Sequence, residues 1–468
     1  MGNDFDVVVV GTGIAGHCAA LEALRAGASV LMLDTEPVIG GSSRLSTGMI
    51  MGAGTRFQRD RGIDDDAERL LRHYVTANQW SVQPSVARRL CYEAGPTIEW
   101  LNENGVSILD VIPSGEEDRP RGHVTEGGAA IIAALAGRVG AFDRVEVALR
   151  SRVERLVGDA RGVRGVVVSG EAVNAGAVVI ATGGFAANHE LVAKWYPDAI
   201  GQAGGTLHHQ GTPWARGDAF AFAGQVDAQI AAGRGTRPPI WSFGGGYLPS
   251  FVVVVNQLGR RFYMETASYA ASEVAICQQP SALSFIILDD GMKSLLQSTA
   301  DVRRYTKLII PETEHLLSTW TSQAIEDHVR RGDLIKAESI DQLAQRIGVP
   351  PANLRGTIER YNADIARGAD ADYLKDVTGV LPLSRPPYYA AAMRLSMLAL
   401  TAVGPRVDHE ASVLHETGRA IPGLYAAGEC VGGVLGSVYV GSGNSVGNCS
   451  TYGRVAGRNA ARFARDHQ

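Results

Sequence analysis

The sequence has few cysteines, and none is arranged for a disulfide framework or a metal. Five cysteines are scattered among 468 residues. They form no CxxC, no haem-attachment CxxCH and no zinc-ligand spacing. We therefore expect a reduced, intracellular protein with no resident metal.

Long apolar runs and basic runs are also missing. The run 251–255 has the length of a strand and is far too short for a bilayer. The first residues lack the basic segment and apolar stretch of a secretory signal. Lys and Arg number 44 against 49 Asp and Glu, and no basic run could follow a phosphate backbone. These absences predict a cytoplasmic protein without a membrane span and without a nucleic-acid partner.

The length and the order of the patterns predict two domains. A chain of 468 residues is too long for one ordinary core, and its 45% hydrophobic content is typical of a globular protein. Buried-strand and helix patterns at both ends predict one α/β domain from residues 1–203 and 387–468. Loops rich in Gly, His, Trp and Pro begin near residue 204 and predict an inserted domain over 204–386. We expect the crevice between the two domains to hold the substrate.

A dinucleotide motif lies at the N-terminal end. The β-branched run Phe5–Val10 ends at Gly11-Thr12-Gly13-Ile14-Ala15-Gly16, which is GxGxxG opening a helix. The glycines allow a tight turn and the close approach of a pyrophosphate to the helix N-terminus. Asp34 ends the next strand, where an acid can accept hydrogen bonds from ribose hydroxyls. This βαβ unit predicts a dinucleotide site, with NAD and FAD both open at this point.

Further segments favour FAD. Ile39-Gly40-Gly41-Ser42-Ser43 and Ser46-Thr47-Gly48 follow the acid and offer N–H groups and hydroxyls to a pyrophosphate and a flavin edge. Ala181-Thr182-Gly183-Gly184 follows a third strand, and 423–429 (GLYAAGE) returns near the C-terminal end.

With these segments the chain resembles the FAD-binding family that contains fumarate reductases and 3-ketosteroid dehydrogenases. The likeness covers nearly the whole chain and rests on 421–429 (IPGLYAAGE), 453–457 (GRVAG) and 255–265 (VNQLGRRFYME). It implies a Rossmann-like FAD-binding domain with an inserted α+β cap. The motifs and the resemblance together predict these cofactor-binding residues: Gly11, Gly13, Ile14, Ala15, Gly16, Asp34, Thr35, Gly41, Ser42, Ser43, Ser46, Thr47, Gly48, Val153, Ala181, Thr182, Gly183, Gly428, Glu429, Asn444, Ser445 and Val446.

One C-terminal loop separates the branches of this family. Fumarate reductases resemble one another in an Asn-Arg-Leu-Gly-Gly-Asn pattern, whose arginine clamps a carboxylate, and in a preceding His-His-Thr. This chain has Tyr439-Val440-Gly441-Ser442-Gly443-Asn444 and Ala399-Leu400-Thr401 at those places. The loop is instead similar to the Tyr-Pro-Gly-Ala-Gly of 3-ketosteroid 1-dehydrogenases, departing from it at Val440 and Ser442. The resemblance implies that the Tyr439 hydroxyl and the Gly443 N–H hold a ketone oxygen.

The cap motif points to a second tyrosine. After Arg261, Phe262 and Glu265, Tyr269 stands where the ketosteroid enzymes place the tyrosine that removes the α-proton. The relatives also have a tyrosine that assists this base, and His123 or Arg121 occupies its region of the sequence. The alternative is that Tyr269 only packs against its neighbours, as an amphipathic tyrosine usually does.

The expected function is a ketone α,β-dehydrogenase that uses FAD. Its substrate would be a 3-ketosteroid or a smaller cyclic oxo compound such as 4-oxocyclohexanecarboxylate, with oxygen or a quinone as electron acceptor. The alternatives are an enoate or enone reductase of the fumarate reductase kind, and a flavin-containing protein whose role is binding or assembly and not turnover.

Overall fold

The chain divides into two compact units in a computed structural model that describes residues 3–115, 119–159, 161–245, 247–306 and 311–467, without the side chains of Tyr269 and 311–314. Unit 1 consists of Met1–Pro197, His209–Thr236 and Ala399–Gln468, and unit 2 of Asp198–His208 and Arg237–Leu398. The domain boundaries drawn from the sequence, at 203/204 and 386/387, stay a prediction.

The helices of the described residues are α1 (Ile14–Arg25), α2 (Arg56–Arg59), α3 (Ala67–Ala77), α4 (Pro84–Glu103), α5 (Gly128–Val139), α6 (His189–Trp195), α7 (Ala199–Gln202), α8 (Asp218–Gln225), α9 (Tyr269–Cys277), α10 (Asp290–Lys293), α11 (Thr299–Arg303), α12 (Ser322–Arg331), α13 (Ile340–Ile347), α14 (Pro351–Arg367) and α15 (Asn444–Asp466). Short 3₁₀ segments cover Gly41–Leu45, Pro280–Ala282 and Pro311–Trp320. Within the described part of the chain, no helix is both long enough and apolar enough to cross a membrane.

The strands are β1 (Phe5–Val10), β2 (Val30–Leu33), β3 (Ile50–Met51), β4 (Asp110–Ile112), β5 (Gly122–Val124), β6 (Val145–Ala148), β7 (Val153–Asp159), β8 (Gly162–Val168), β9 (Glu171–Ile180), β10 (His208–His209), β11 (Ile230–Ala231), β12 (Ile240–Trp241), β13 (Gly244–Gly245), β14 (Val253–Asn256), β15 (Ser284–Asp289), β16 (Ile335–Ala337), β17 (Tyr388–Arg394), β18 (Met397–Leu398), β19 (Gly404–Pro405), β20 (Ser412–Leu414) and β21 (Ala420–Ala426).

Unit 1 is built on a largely parallel sheet. Its order is β20-β21-β9-β1-β2-β6, and β21, β9, β1, β2 and β6 run parallel. The hairpin β7–β8 joins the sheet where β8 pairs antiparallel with β9. The four valines Val7–Val10 are at most 6% exposed, because a parallel strand covered on both faces is apolar along its whole length.

Helices α1 and α15 pack against each other through glycines. A Cβ atom at Gly453 would lie 2.5 Å from the Ala15 carbonyl oxygen, and one at Gly457 would lie 2.1 Å from that of Ala19. Any larger residue would force the two backbones apart. The GRVAG segment thus holds the C-terminal helix against the helix that follows the glycine loop.

Unit 2 is built on an antiparallel sheet with a core on each face. The order is β13-β12-β17-β15-β14, and β16 pairs with β17. Val254 and Ile286 face one core, whereas their neighbours Val253 and Ile287 face the other, as the alternation of strand side chains requires. Helix α12 belongs to the first core, and α13 and α14 belong to the second.

The sequence pattern over 251–262 predicts a pair of strands, and this prediction is wrong. Only 253–256 forms a strand there, and its partner is β15. The chain turns after β14, where Asn256 N donates to Arg260 O at 3.0 Å and Gly259 has φ +71°. The turn directs Arg261 and Glu265 into a buried ion network, so this segment cannot continue as a second strand.

Candidate active site

The glycine loop between β1 and α1 is closed so tightly that side chains are excluded. Gly11 has φ +116°, and a Cβ atom there would lie 2.2 Å from the Ala181 carbonyl oxygen. A Cβ atom at Gly16 would lie 2.0 Å from the Gly11 carbonyl oxygen. Gly13 is the N-cap of α1 and provides no side-chain cap, so the helix N-terminus can receive an anion. This is the cradle that a pyrophosphate requires.

The 3₁₀ turn Gly41–Leu45 lies beside the N-terminus of α1. Ile14 N donates to Ser43 Oγ at 3.2 Å, and Ser46 Oγ donates to Ser43 O at 2.8 Å. Gly48 has φ +75°, and a Cβ atom there would lie 2.5 Å from Thr125 Oγ1. The predicted segment 41–48 is thus tied to the glycine loop.

Four predicted segments lie at one edge of the parallel sheet. They directly follow β1, β2, β9 and β21, whose order in the sheet is β21-β9-β1-β2. Ligands of such sheets bind outside the carboxyl ends of the strands. This edge therefore contains the glycine loop, Asp34, 181–183 and 428–429. Val153 begins β7 two residues after Ser151, whose N–H donates to Asp34 O at 2.8 Å.

The last of these segments carries a buried carboxyl. Glu429 Oε1 accepts hydrogen bonds from Thr401 N at 2.8 Å and Thr401 Oγ1 at 2.9 Å. Burial raises the pKa of Glu429, and the bonds from Thr401 oppose this rise. A Cβ atom at Gly184 would lie 2.1 Å from Glu429 Oε1. Only a glycine at position 184 therefore lets the backbone of the 181–184 loop lie beside this carboxyl group.

The loop that precedes α15 holds the two predicted oxyanion donors. Ser445 N, in the first turn of α15, donates to the Tyr439 hydroxyl at 3.1 Å. Gly443 is the N-cap with φ +88°, and its carbonyl oxygen accepts from Met51 N at 3.1 Å. A Cβ atom at Gly443 would lie 2.8 Å from Met51 N, so this position accepts only glycine without rearrangement. Tyr439, Gly443, Asn444 and Ser445 are therefore brought together at a helix N-terminus.

Tyr269 is the first residue of α9, but its side chain lies outside the described part. The N-cap of α9 is Ser268, whose side chain accepts from Ala271 N at 3.3 Å. The role of Tyr269 stays a prediction.

The cap motif before Tyr269 is structural. Arg261 bonds Glu265 at 2.7 Å and Asp370 at 2.6 Å, and Lys375 lies 3.1 Å from Glu265. All four side chains are at most 5% exposed. Burial alone would raise the pKa of Glu265, but Lys375 and Arg261 hold it below its ordinary value. Removing any one member of this network would destabilise the fold, because the remaining charges would be buried without a partner.

His123 and Arg121, named above for the region of the assisting residue, both have structural partners. His123 Nε2 lies 2.7 Å from Thr55 Oγ1, and His123 Nδ1 lies 3.0 Å from Arg121 O. Arg121 binds both oxygens of Asp65, at 2.7 and 2.9 Å. Burial lowers the pKa of His123 to about 4.

This buried histidine predicts a pH dependence of stability. The pKa of about 4 in the folded chain lies below the ordinary value of 6.5. The unfolded chain therefore binds a proton first as the pH falls through 6.5, so stability is lost between pH 6.5 and 4. We expect His123→Gln to remove about 2 kcal/mol of the stability difference between about pH 7.5 and pH 5. Urea unfolding of both proteins at the two pH values measures this, and equal pH dependence in the two would contradict it.

Comparison with known proteins identifies the cofactor. The family model described as FAD binding domain matches residues 6–446. The chain belongs to this family. FAD is its cofactor. Gly11 and Gly16 have no room for a side chain, which fits a loop that a dinucleotide approaches closely. The predicted resemblance and the α/β fold class are confirmed.

Relatives in the family include reductases and dehydrogenases. A fumarate reductase (cytochrome) of Shewanella frigidimarina is 30% identical over 98% of this chain and 77% of that protein. An NADH:fumarate oxidoreductase of Klebsiella pneumoniae is 29% identical over 99% of this chain, which spans only 49% of that protein. A 4-oxocyclohexanecarboxylate 2-dehydrogenase of Sinomonas cyclohexanicum is 28% identical over 98% of this chain and 93% of that protein. The protein is thus an FAD-dependent oxidoreductase.

A solved structure with a steroid ligand is also similar. The 3-ketosteroid-delta4-(5alpha)-dehydrogenase of Rhodococcus jostii RHA1, in complex with 4-androstene-3,17-dione, has a TM-score of 0.81 and 27% identity. The match covers 98% of this chain and 98% of that one.

Proposed function

We propose that the protein is an FAD-dependent ketone α,β-dehydrogenase that introduces a C=C bond beside a cyclic ketone. The substrate is a 3-ketosteroid or a smaller cyclic oxo compound such as 4-oxocyclohexanecarboxylate, and the electron acceptor is oxygen or a quinone. Residues 204–386 form the cap that contributes to substrate binding.

The observation that carries this proposal is the position of Tyr439 at the N-terminus of α15. Its hydroxyl accepts a hydrogen bond from Ser445 N, and a tyrosine hydroxyl can donate its own proton as well as accept. The partial positive charge of a helix N-terminus favours negative charge nearby. Tyr439 and Gly443 N–H together suit an oxygen atom that gains negative charge.

A saturated C–H bond beside a ketone is a weak acid, so the enzyme has to stabilise an enolate. The hydroxyl of Tyr439 and the N–H of Gly443 would donate to the ketone oxygen, and each such donor contributes roughly 3 kcal/mol in the transition state. Tyr269 would remove the α-proton, which requires that its phenol first lose its own proton to solvent or to a relay. When bound, FAD supplies the acceptor for the β-hydride.

The charge of one C-terminal segment supports this reaction over reduction of a dicarboxylate. Residues 430–452 contain no lysine or arginine, so this segment offers no cation to clamp a substrate carboxylate. The Sinomonas and Rhodococcus relatives, both named as dehydrogenases of ketones, support the same direction. The reductase alternative is supported by the Shewanella and Klebsiella relatives.

Anaerobic mixing tests the two directions. We expect the oxidised holoenzyme to lose its flavin absorbance near 450 nm when mixed with 4-oxocyclohexanecarboxylate or with a saturated 3-ketosteroid. Pre-reduced enzyme should not be reoxidised by fumarate. Rapid reoxidation by fumarate, with no bleaching by either ketone, would replace this proposal by the reductase.

A further inference from the structure

The carboxylate of Asp34, at the carboxyl end of β2, is held by the glycine loop itself. Its Oδ2 atom accepts from Thr12 N at 2.8 Å and from Thr12 Oγ1 at 2.5 Å. Its Oδ1 atom accepts from Glu36 N at 2.9 Å. The Thr12 side chain is fully buried, and its hydroxyl also accepts from Gly40 N at 3.1 Å. One hydroxyl thus links the glycine loop, the end of β2 and the start of the 3₁₀ turn.

These bonds restrict what Asp34 can offer to a ligand. A carboxylate has about four lone-pair positions. Among the described residues, Thr12 fills both positions on Oδ2 and Glu36 N fills one on Oδ1. One position on Oδ1 remains. Asp34 is therefore prepared to accept one hydrogen bond, from one hydroxyl, in a fixed orientation.

We propose that Thr12 is a positioning residue for FAD. It fixes Asp34 so that the remaining acceptor position meets a hydroxyl of the adenosine ribose, and it thereby sets the preference for FAD over FMN. The adenosine half is the part that FMN lacks, so a residue that acts through Asp34 affects FAD and leaves FMN unchanged. A residue that only supports the fold weakens the binding of both flavins equally.

The same sheet contains a matched bond without a cofactor role. Asp6 Oδ2, at the start of β1, accepts from Ser29 N at 2.7 Å and Ser29 Oγ at 2.9 Å, just before β2 begins. The chemistry equals that of the Thr12–Asp34 pair, since a hydroxyl and a backbone N–H of one residue share one carboxylate oxygen. It lies at the other end of the two strands, away from the cofactor edge.

The test equilibrates holoenzyme variants with mixtures of FAD and FMN and separates the bound flavins by chromatography. Thr12→Val removes the hydroxyl and keeps the branched shape. We expect the ratio of bound FAD to bound FMN to fall about tenfold, as for loss of one charge-assisted hydrogen bond. Thr12→Ser should restore the ratio to within about twofold, and Ser29→Ala should lower the unfolding midpoint without changing the ratio.

A second measurement follows FAD release after dilution of the holoenzyme, which does not depend on FMN binding. Thr12→Val and Asp34→Asn should each speed release about tenfold, and the double variant should add little, because both remove the same interaction. An unchanged flavin ratio and release rate in Thr12→Val, or additive effects in the double variant, would overturn the proposal. If Ser29→Ala changes the ratio as much as Thr12→Val does, the hydroxyl is only structural.

Discussion

Tyr439→Phe is expected to lower kcat for ketone oxidation by about 10²-fold or more while FAD stays bound. The phenol is proposed to donate to charge that develops on the ketone oxygen, so its loss should raise the transition state and leave ground-state binding nearly unchanged. The change also removes the acceptor of Ser445 N, one of the N–H groups that a helix leaves unpaired at its start. Rapid mixing under anaerobic conditions, with the bleaching rate as readout, isolates the chemical step.

A tyrosine within α15 provides the control. Tyr452 is buried in α15, and its hydroxyl donates to Val86 O at 3.0 Å. Tyr452→Phe should cost about 1 kcal/mol of stability and leave the bleaching rate at the wild-type level. A bleaching rate for Tyr439→Phe equal to that of Tyr452→Phe would remove Tyr439 from the mechanism.

Much of unit 1 can be predicted from local sequence. The run Phe5–Val10, the glycine loop and the helix after it are found where the patterns place them, because strand burial and GxGxxG are local constraints. The pattern Ser339-Ile340-Asp341-Gln342 also predicts a capping box at a helix start. The Ser339 side chain does accept from Gln342 N, but the Gln342 side chain accepts from Glu338 N, so the box is not completed.

Contacts between residues that are far apart in the sequence cannot be predicted from local patterns. The partners of Arg261 include Asp370, 109 positions away, so the motif can be recognised in sequence while its ion network cannot. The partner of β14 is β15 and not the adjacent segment, because a tight turn and this network follow β14 at once. For Thr12, sequence shows only a variable position of GxGxxG, and the bond to Asp34 depends on the loop geometry.

Tyr269→Phe is expected to abolish removal of the α-proton without abolishing ketone binding. A positioned general base contributes about 10² to 10⁴-fold, so the exchange rate should fall by at least about 10²-fold. The measurement is solvent deuterium exchange at the substrate α-carbon, followed by NMR with the flavin kept reduced so that hydride transfer cannot occur. Because the donors proposed for the ketone oxygen, Tyr439 and Gly443, are untouched, a flat phenol should still bind and perturb the flavin spectrum.

The control for the exchange experiment is another tyrosine of unit 2. The Tyr305 hydroxyl donates to Gly379 O at 3.3 Å, so Tyr305→Phe removes a phenol at a structural position. That variant should exchange the α-proton at the wild-type rate. Exchange that persists at this rate in Tyr269→Phe would show that another group is the base. His123 would then be tested next, although its burial and its bonds to Thr55 and Arg121 favour a structural role. Loss of exchange in Tyr269→Phe together with retained exchange in Tyr439→Phe would contradict the oxyanion role, since proton removal and charge stabilisation at the ketone oxygen belong to one step.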